Sequence, residues 1–114
     1  MKKLRKSEIK IFCEKSKAKG NGHFVRSKRL YNYLKLKKFR CSLKLNNSSR
    51  EINKKISLSK NKLYLILDYK DYKKIEIKKN IKILKTIVVE NLRKKKFYKN
   101  INVYPLDIQY KINS

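Results

Sequence analysis

At 114 residues, the chain is long enough for one domain with a small core, and 34 lysines and arginines against eight carboxylates give it a formal charge of +26. Charge of that size opposes compaction and calls for a negatively charged partner, while 40% hydrophobic residues exclude a purely disordered basic tail. The longest apolar run, "LYLIL" at 63 to 67, is far short of a membrane span, and the basic start "MKKLRKSEIKIF" lacks the apolar stretch of a secretory signal.

Lysine outnumbers arginine 28 to 6, and asparagine and isoleucine are abundant, as in a coding sequence rich in A and T. That bias explains lysine in place of arginine. It does not explain the shortage of Asp and Glu, so the charge imbalance is a functional signal.

Residues 1 to 7 read as a basic arm, and "EIKIF" at 8 to 12 alternates as a short strand does. "EKSKAKGNG" at 14 to 22 is polar and ends in a Gly-Asn-Gly turn, which permits positive φ. "HFVRSKRLYNYLKLKK" fits extended chain or one or two helical turns. "FRCSLKL" at 39 to 45 puts Phe39, Cys41, Leu43 and Leu45 on one face of a strand. "NNSSRE" makes a turn and "INKKISLS" at 52 to 59 resumes alternation through Ile56 and Leu58, which predicts a hairpin. "KLYLILDY" is a strand or a helical turn, and "KKIEIKK" alternates again.

From Asn80 the period changes. Ile81, Leu84, Val88 and Leu92 form one helical stripe with Asn80 as N-cap, predicting a helix near 80–97 whose last turns carry "RKKK". The tail through Leu106, Ile108, Tyr110 and Ile112 suits an edge strand that tolerates Pro105. The expected fold class is α+β: a small hairpin-rich β domain over 1–67, then a C-terminal extension over 68–114 with its helix, and basic extended arms.

Cys13 and Cys41 stand 28 residues apart without a CxxC pair, so they read as reduced, partly buried thiols, and no metal or other cofactor is expected. Catalysis is poorly supplied. There is one histidine, the carboxylates are scattered, and Asp68 and Asp71 read as local charge partners of the neighbouring lysines; the chain is expected not to be an enzyme. Nucleic-acid binding is well supplied, because lysines run through every element and eight tyrosines interleave them. RNA is favoured over DNA, since no recognition helix or zinc module is visible. The candidate contacts are Lys19, Asn21, His23, Arg26, Lys28, Arg29, Lys37, Lys38, Arg40, Lys54, Lys55, Lys60 and Lys62.

Particular residues carry a resemblance. Cys13, the turn at 20 to 23, "VRSKR" at 25 to 29, "KKFRCSL" at 37 to 43 and "KKISLSKNKLYLI" at 54 to 66 together resemble the bacterial large-subunit ribosomal protein family numbered 28. Arg26 and Ser27 fall near its Val-Ser-His-Ser stretch. Lys37, Lys38, Phe39, Arg40 and Leu43 fall on its basic-Phe stretch, and Ser59 through Leu63 on its final segment. The family's Leu-Thr-Gly-Lys reads "EKSK" here, and Cys41-Ser42 replaces Pro-Asn. The resemblance spans roughly residues 9 to 67 and implies a noncatalytic, hairpin-rich binder of large-subunit rRNA beside neighbouring ribosomal proteins, with no membrane partner. The implied location is the cytoplasmic ribosome of an A+T-rich bacterium or an organellar ribosome. The alternative is another ribosomal or nucleoid-type basic protein.

Overall fold

Successive buried residues such as Ile11-Phe12-Cys13, Leu65-Ile66-Leu67 and Val88-Val89 point to opposite sides of a strand, so these strands are covered on both faces. That is the condition of a parallel sheet. The computed structural model describes residues 7–16 and 22–104. The elements are β1 (Ser7–Cys13), α1 (Gly22–Leu36), β2 (Cys41–Leu45), α2 (Ser49–Leu58), β3 (Lys62–Asp68), β4 (Ile83–Val89) and β5 (Asn100–Val103). The sheet order is β2-β1-β3-β4-β5, and every pairing is parallel.

The chain is therefore α/β, and the expected hairpin-rich α+β domain is not what it adopts. The predicted hairpin of 39–59 is a βα unit instead: β2 pairs with β1, and the following segment is α2. Ser48 caps that helix by accepting from the Glu51 amide at 3.2 Å, while the Glu51 carboxylate accepts from the Ser48 amide at 2.9 Å. This reciprocal capping box fixes the start, and Ile52 and Ile56, one turn apart, bury the inner face. Lys82 Nζ donates to the carbonyls of Ser57 and Ser59 at the other end, a cation where the helix dipole favours one.

The predicted helix near 80–97 is also overturned. Of its stripe, Ile81 is 86% and Leu92 77% exposed, while residues 83–89, "ILKTIVV", form β4 beside β3. A β-branched run this short suits a strand covered on both sides. Asn80 turns the chain into β4, its side chain accepting from the Lys82 amide at 2.9 Å. The "KKIEIKK" segment forms no strand. Its backbone groups are met by side chains of α2, Ser49 bonding Lys74 O and Glu76 N, and Asn53 bonding Glu76 O and Lys78 N, all at 2.9 Å. The basic arm through residue 6 and the tail expected as an edge strand, Leu106, Ile108, Tyr110 and Ile112, lie outside the described residues; the described sheet ends on that side in β5.

The back of the sheet holds the larger core: Phe12, Leu63, Leu65, Leu67, Ile83 and Val88 under Ile52 and Ile56 of α2, with Tyr69, Tyr72 and Ile75 from the β3–β4 connection. The front holds Ile11, Cys41, Ile66 and Val89, against which Tyr31 and Leu34 of α1 pack. The helix α1 ends in a Schellman turn, with Phe39 N–H bonded to Leu34 O, Lys38 N–H to Lys35 O, and Lys38 at φ 65.

Candidate functional site at the carboxyl ends of the strands

The connection after β1 leads through α1 to β2 on one side, and the connection after β3 leads to β4 on the other. The adjacent pair β1/β3 is thus the topological switch point, and the crevice outside its carboxyl ends is where open parallel sheets bind ligands. The last residues of these strands, Cys13 and Asp68, are register partners on the front face, beneath the first turns of α1.

Four donors converge on Asp68, whose side chain is 2% exposed. His23 Nδ1 lies 2.6 Å from Oδ1, Arg26 donates through Nε at 2.9 Å to Oδ2 and through Nη2 to Oδ1, and Ser27 Oγ donates to Oδ2 at 3.0 Å. Residues 23, 26 and 27 meet one carboxylate because they share a face of a single helical turn. Arg26 also donates from Nη1 to Glu90 Oε1 at 2.9 Å. Glu90 follows β4 in the left-handed region at φ 54, a conformation uncommon for a side chain of its kind. The fork of Arg26 therefore ties the ends of β3 and β4 together, and its bond to Asp68 holds the guanidinium even more firmly protonated than usual.

An Nδ1–H donated to a buried carboxylate fixes the imidazole's tautomer and orientation and leaves the lone pair on Nε2. The His23 ring is 14% exposed. Below it, the Cys13 thiol is pushed up to about 11 by burial. It is a protonated packing group and not a nucleophile.

Glu90 also borders a cleft of about 570 Å³ lined by Lys70, Asp71, Tyr72, Lys73, Asn91, Leu92, Arg93 and Lys95. Lys70, Lys73 and Arg93 are exposed. Lys95 Nζ crosses from the β4–β5 connection to Tyr72 O at 3.0 Å and Glu76 Oε1 at 3.0 Å, holding the two walls together. The floor is set by Tyr72, whose hydroxyl lies 2.7 Å from Leu67 O and 2.8 Å from Val89 O. A cleft of this volume with a cationic rim fits a small anionic ligand.

Of the candidate contacts read from the sequence, His23 and Arg26 are brought together here, bonded to carboxylates. Lys28 and Arg29 are exposed on α1. Lys37, Lys38, Arg40, Lys60 and Lys62 lie near the amino ends of the strands, and Lys54 and Lys55 on α2 over the opposite face. Lys19 and Asn21 lie outside the described residues. The reading of Asp68 as a local partner of lysines is corrected: its partners stand more than 40 residues away. The signal for it was present, an acid closing the apolar run "LYLILD", since the carboxyl end of a buried parallel strand is where such folds place functional groups.

Among the described residues, no group of three or more His, Cys, Asp or Glu side chains is placed to hold a metal ion. No described helix is long and apolar enough to cross a membrane. The chain matches no family model, no curated protein and no solved structure.

Proposed function

We propose that this chain is a ligand-binding α/β domain that takes a small phosphorylated molecule, such as a nucleoside diphosphate, at the carboxyl ends of β1, β3 and β4, and exchanges a proton with it through His23. The single observation that carries the reading is the 2.6 Å contact between His23 Nδ1 and buried Asp68 at the switch point. An oriented imidazole with a free second nitrogen is the usual unit of general acid–base work. Support comes from the amino end of α1, where the first N–H groups have no partner within the helix and the dipole favours phosphate, and from the cations Lys70, Lys73 and Arg93 at the cleft.

The chain has one histidine, so a long-range ¹H–¹⁵N spectrum reports its two ring nitrogens without assignment. In mildly alkaline solution the expected pattern is a protonated Nδ1 and an unprotonated Nε2, with Nε2 moving on titration with uridine, adenosine or guanosine diphosphate. A ring protonated on Nε2, or one unmoved by every nucleotide, sinks the reading.

A second reading rests on the charge of +26: RNA binding, ribosomal RNA included, through the exposed cations Lys28, Arg29, Lys37 and Lys38. The family resemblance lends it little, because the hairpin-rich fold that the resemblance implies is absent. Arg26 is committed to Asp68 and Glu90. Changing Lys28 and Arg29 to alanine should therefore lower the salt slope of RNA binding by about two. Adding Arg26→Ala should lower it no further. An unchanged slope in the double variant excludes this helix as a phosphate contact.

A further inference from the structure

Crossovers in parallel sheets keep one hand, so the direction of a move selects the face it crosses. Here α2 (from β2 back to β3), the β3–β4 connection and Phe97 and Tyr98 of the β4–β5 connection all pack on the back. The one move in the other direction, β1 to β2, places α1 on the front. Toward the carboxyl ends, Ile66, Asp68 and Val89 are buried on the front; no described connection covers the rest of the front of β3, β4 and β5. Tyr64, Ile87 and Ile101 share that surface by register with Ile9 and Ile66. Ile101 is 42% exposed, and Tyr64 and Ile87 are half-buried.

The helix α1 forms one wall of this open half. Arg26 reaches sideways from it to the ends of β3 and β4, and the same stripe continues at Leu30, Tyr33 and Lys37. Leu30 is 36% and Tyr33 56% exposed, and Lys37 Nζ lies 5.7 Å from the Tyr33 ring centre. Lys85, the register partner of Tyr64, and Lys62, two residues before Tyr64 on the same strand, are exposed on this face. Apolar residues therefore occupy the middle of the groove and cations its amino-terminal end.

We propose that this groove docks an amphipathic helix of a partner protein whose polar face is acidic. A parallel sheet needs a layer on each face, and a helix of about 15 residues matches the length of strands such as β3 and β4. Charge selects the occupant. At +26 a second copy of the chain is repelled, while Lys37, Lys62 and Lys85 favour carboxylates. Recognition would be of the helix-in-groove kind.

The test uses the full chain and three fluorescent peptides of about 18 residues at physiological salt. The first has leucine on one helical face and glutamate on the other, the second keeps its composition with the leucines scattered, and the third replaces glutamate with lysine. The expected order of affinity is first above second, by about tenfold, with the third unbound. Ile101→Asp and, independently, Leu30→Asp should each weaken the first peptide about tenfold and leave the second unchanged. Both sites are exposed enough to accept the change without loss of fold, which circular dichroism checks. Equal binding of the first two peptides, absence of binding, or insensitivity to both variants overturns the proposal. So does a concentration-dependent dimer in sedimentation that Ile101→Asp dissolves, which would make a second copy the occupant.

Discussion

Replacing Asp68 with alanine is expected to cost about 2–4 kcal/mol of folding stability and to lower the melting temperature by about 10 °C or more. The carboxylate is 2% exposed and accepts from His23, Arg26 and Ser27. Removing it deprives His23 and Ser27 of that acceptor and leaves the Arg26 guanidinium with Glu90 alone. Breaking one side of a buried ion pair normally costs somewhat more, but the Arg26 side chain is 32% exposed, and water recovers part of the loss. Asp68→Asn keeps the shape and two acceptor lone pairs, so its loss should be roughly half. Thermal denaturation followed by circular dichroism measures both. A melting temperature within a degree or two of the parent would mean that the cluster is not a structural keystone. The site has its own readout in the same variants: without the carboxylate, His23 should lose its Nδ1–H preference, which the imidazole ¹⁵N shifts detect.

Alkali should unfold the protein through its thiols. Cys13 and Cys41 are both pushed up to about 11, from an ordinary 9.0, by burial. The unfolded chain therefore gives up these protons near pH 9, while the folded chain keeps them until about pH 11. Over that window the native state binds more protons, so stability is intact below pH 9 and falls as pH rises, by about 1.4 kcal/mol per unit for each thiol. Two thiols across two units amount to about 5 kcal/mol, comparable with the whole stability of a small domain. Tyr69 and Tyr72, buried and likewise raised above the usual phenol value, extend the decline at higher pH. Falling net charge relieves repulsion in the same range and acts the other way, but equally in a double Cys13→Ala, Cys41→Ala variant. Urea midpoints from pH 8 to 11 should thus fall more steeply for the parent than for the variant. Parallel curves would show that the thiols do not bear on alkaline unfolding.

How much of this was legible in the chain differs from element to element. The strand β1 was readable because its short apolar run alternates, whereas the run of β3, short and bounded by polar residues, fitted a strand or a helical turn alike. The helix α2 was signalled by Ser48 and Glu51 at capping-box spacing, but the alternation of Ile56 and Leu58 suggested a strand; Leu58 proves 70% exposed, so that alternation was accidental. In β4, burial on both faces makes nearly every position but Lys85 apolar or small, and such a run satisfies a helical stripe as readily as a strand. Sheet order decides between them, and sheet order is set by pairings between distant residues. The same limit hid the site. His23 and Arg26 were singled out for their place in a basic, glycine-containing turn, yet what they hold is Asp68, whose position opposite them follows from β1 and β3 lying side by side.

The parallel sheet also bears on the order in which the molecule can assemble. Not one described strand pairing is a hairpin, so each closes a long loop before any contact offsets the lost entropy, which places the chain among slow folders. The first of the described strands, β1, lies between β2 and β3, and its second neighbour is complete only when Asp68 has been synthesised. Until then the amino-terminal turns of α1 carry Arg26, Lys28 and Arg29 with the Asp68 acceptor still missing. The nascent first half is consequently a strongly cationic, unfinished sheet, and its closure waits on a single carboxylate arriving from the third strand.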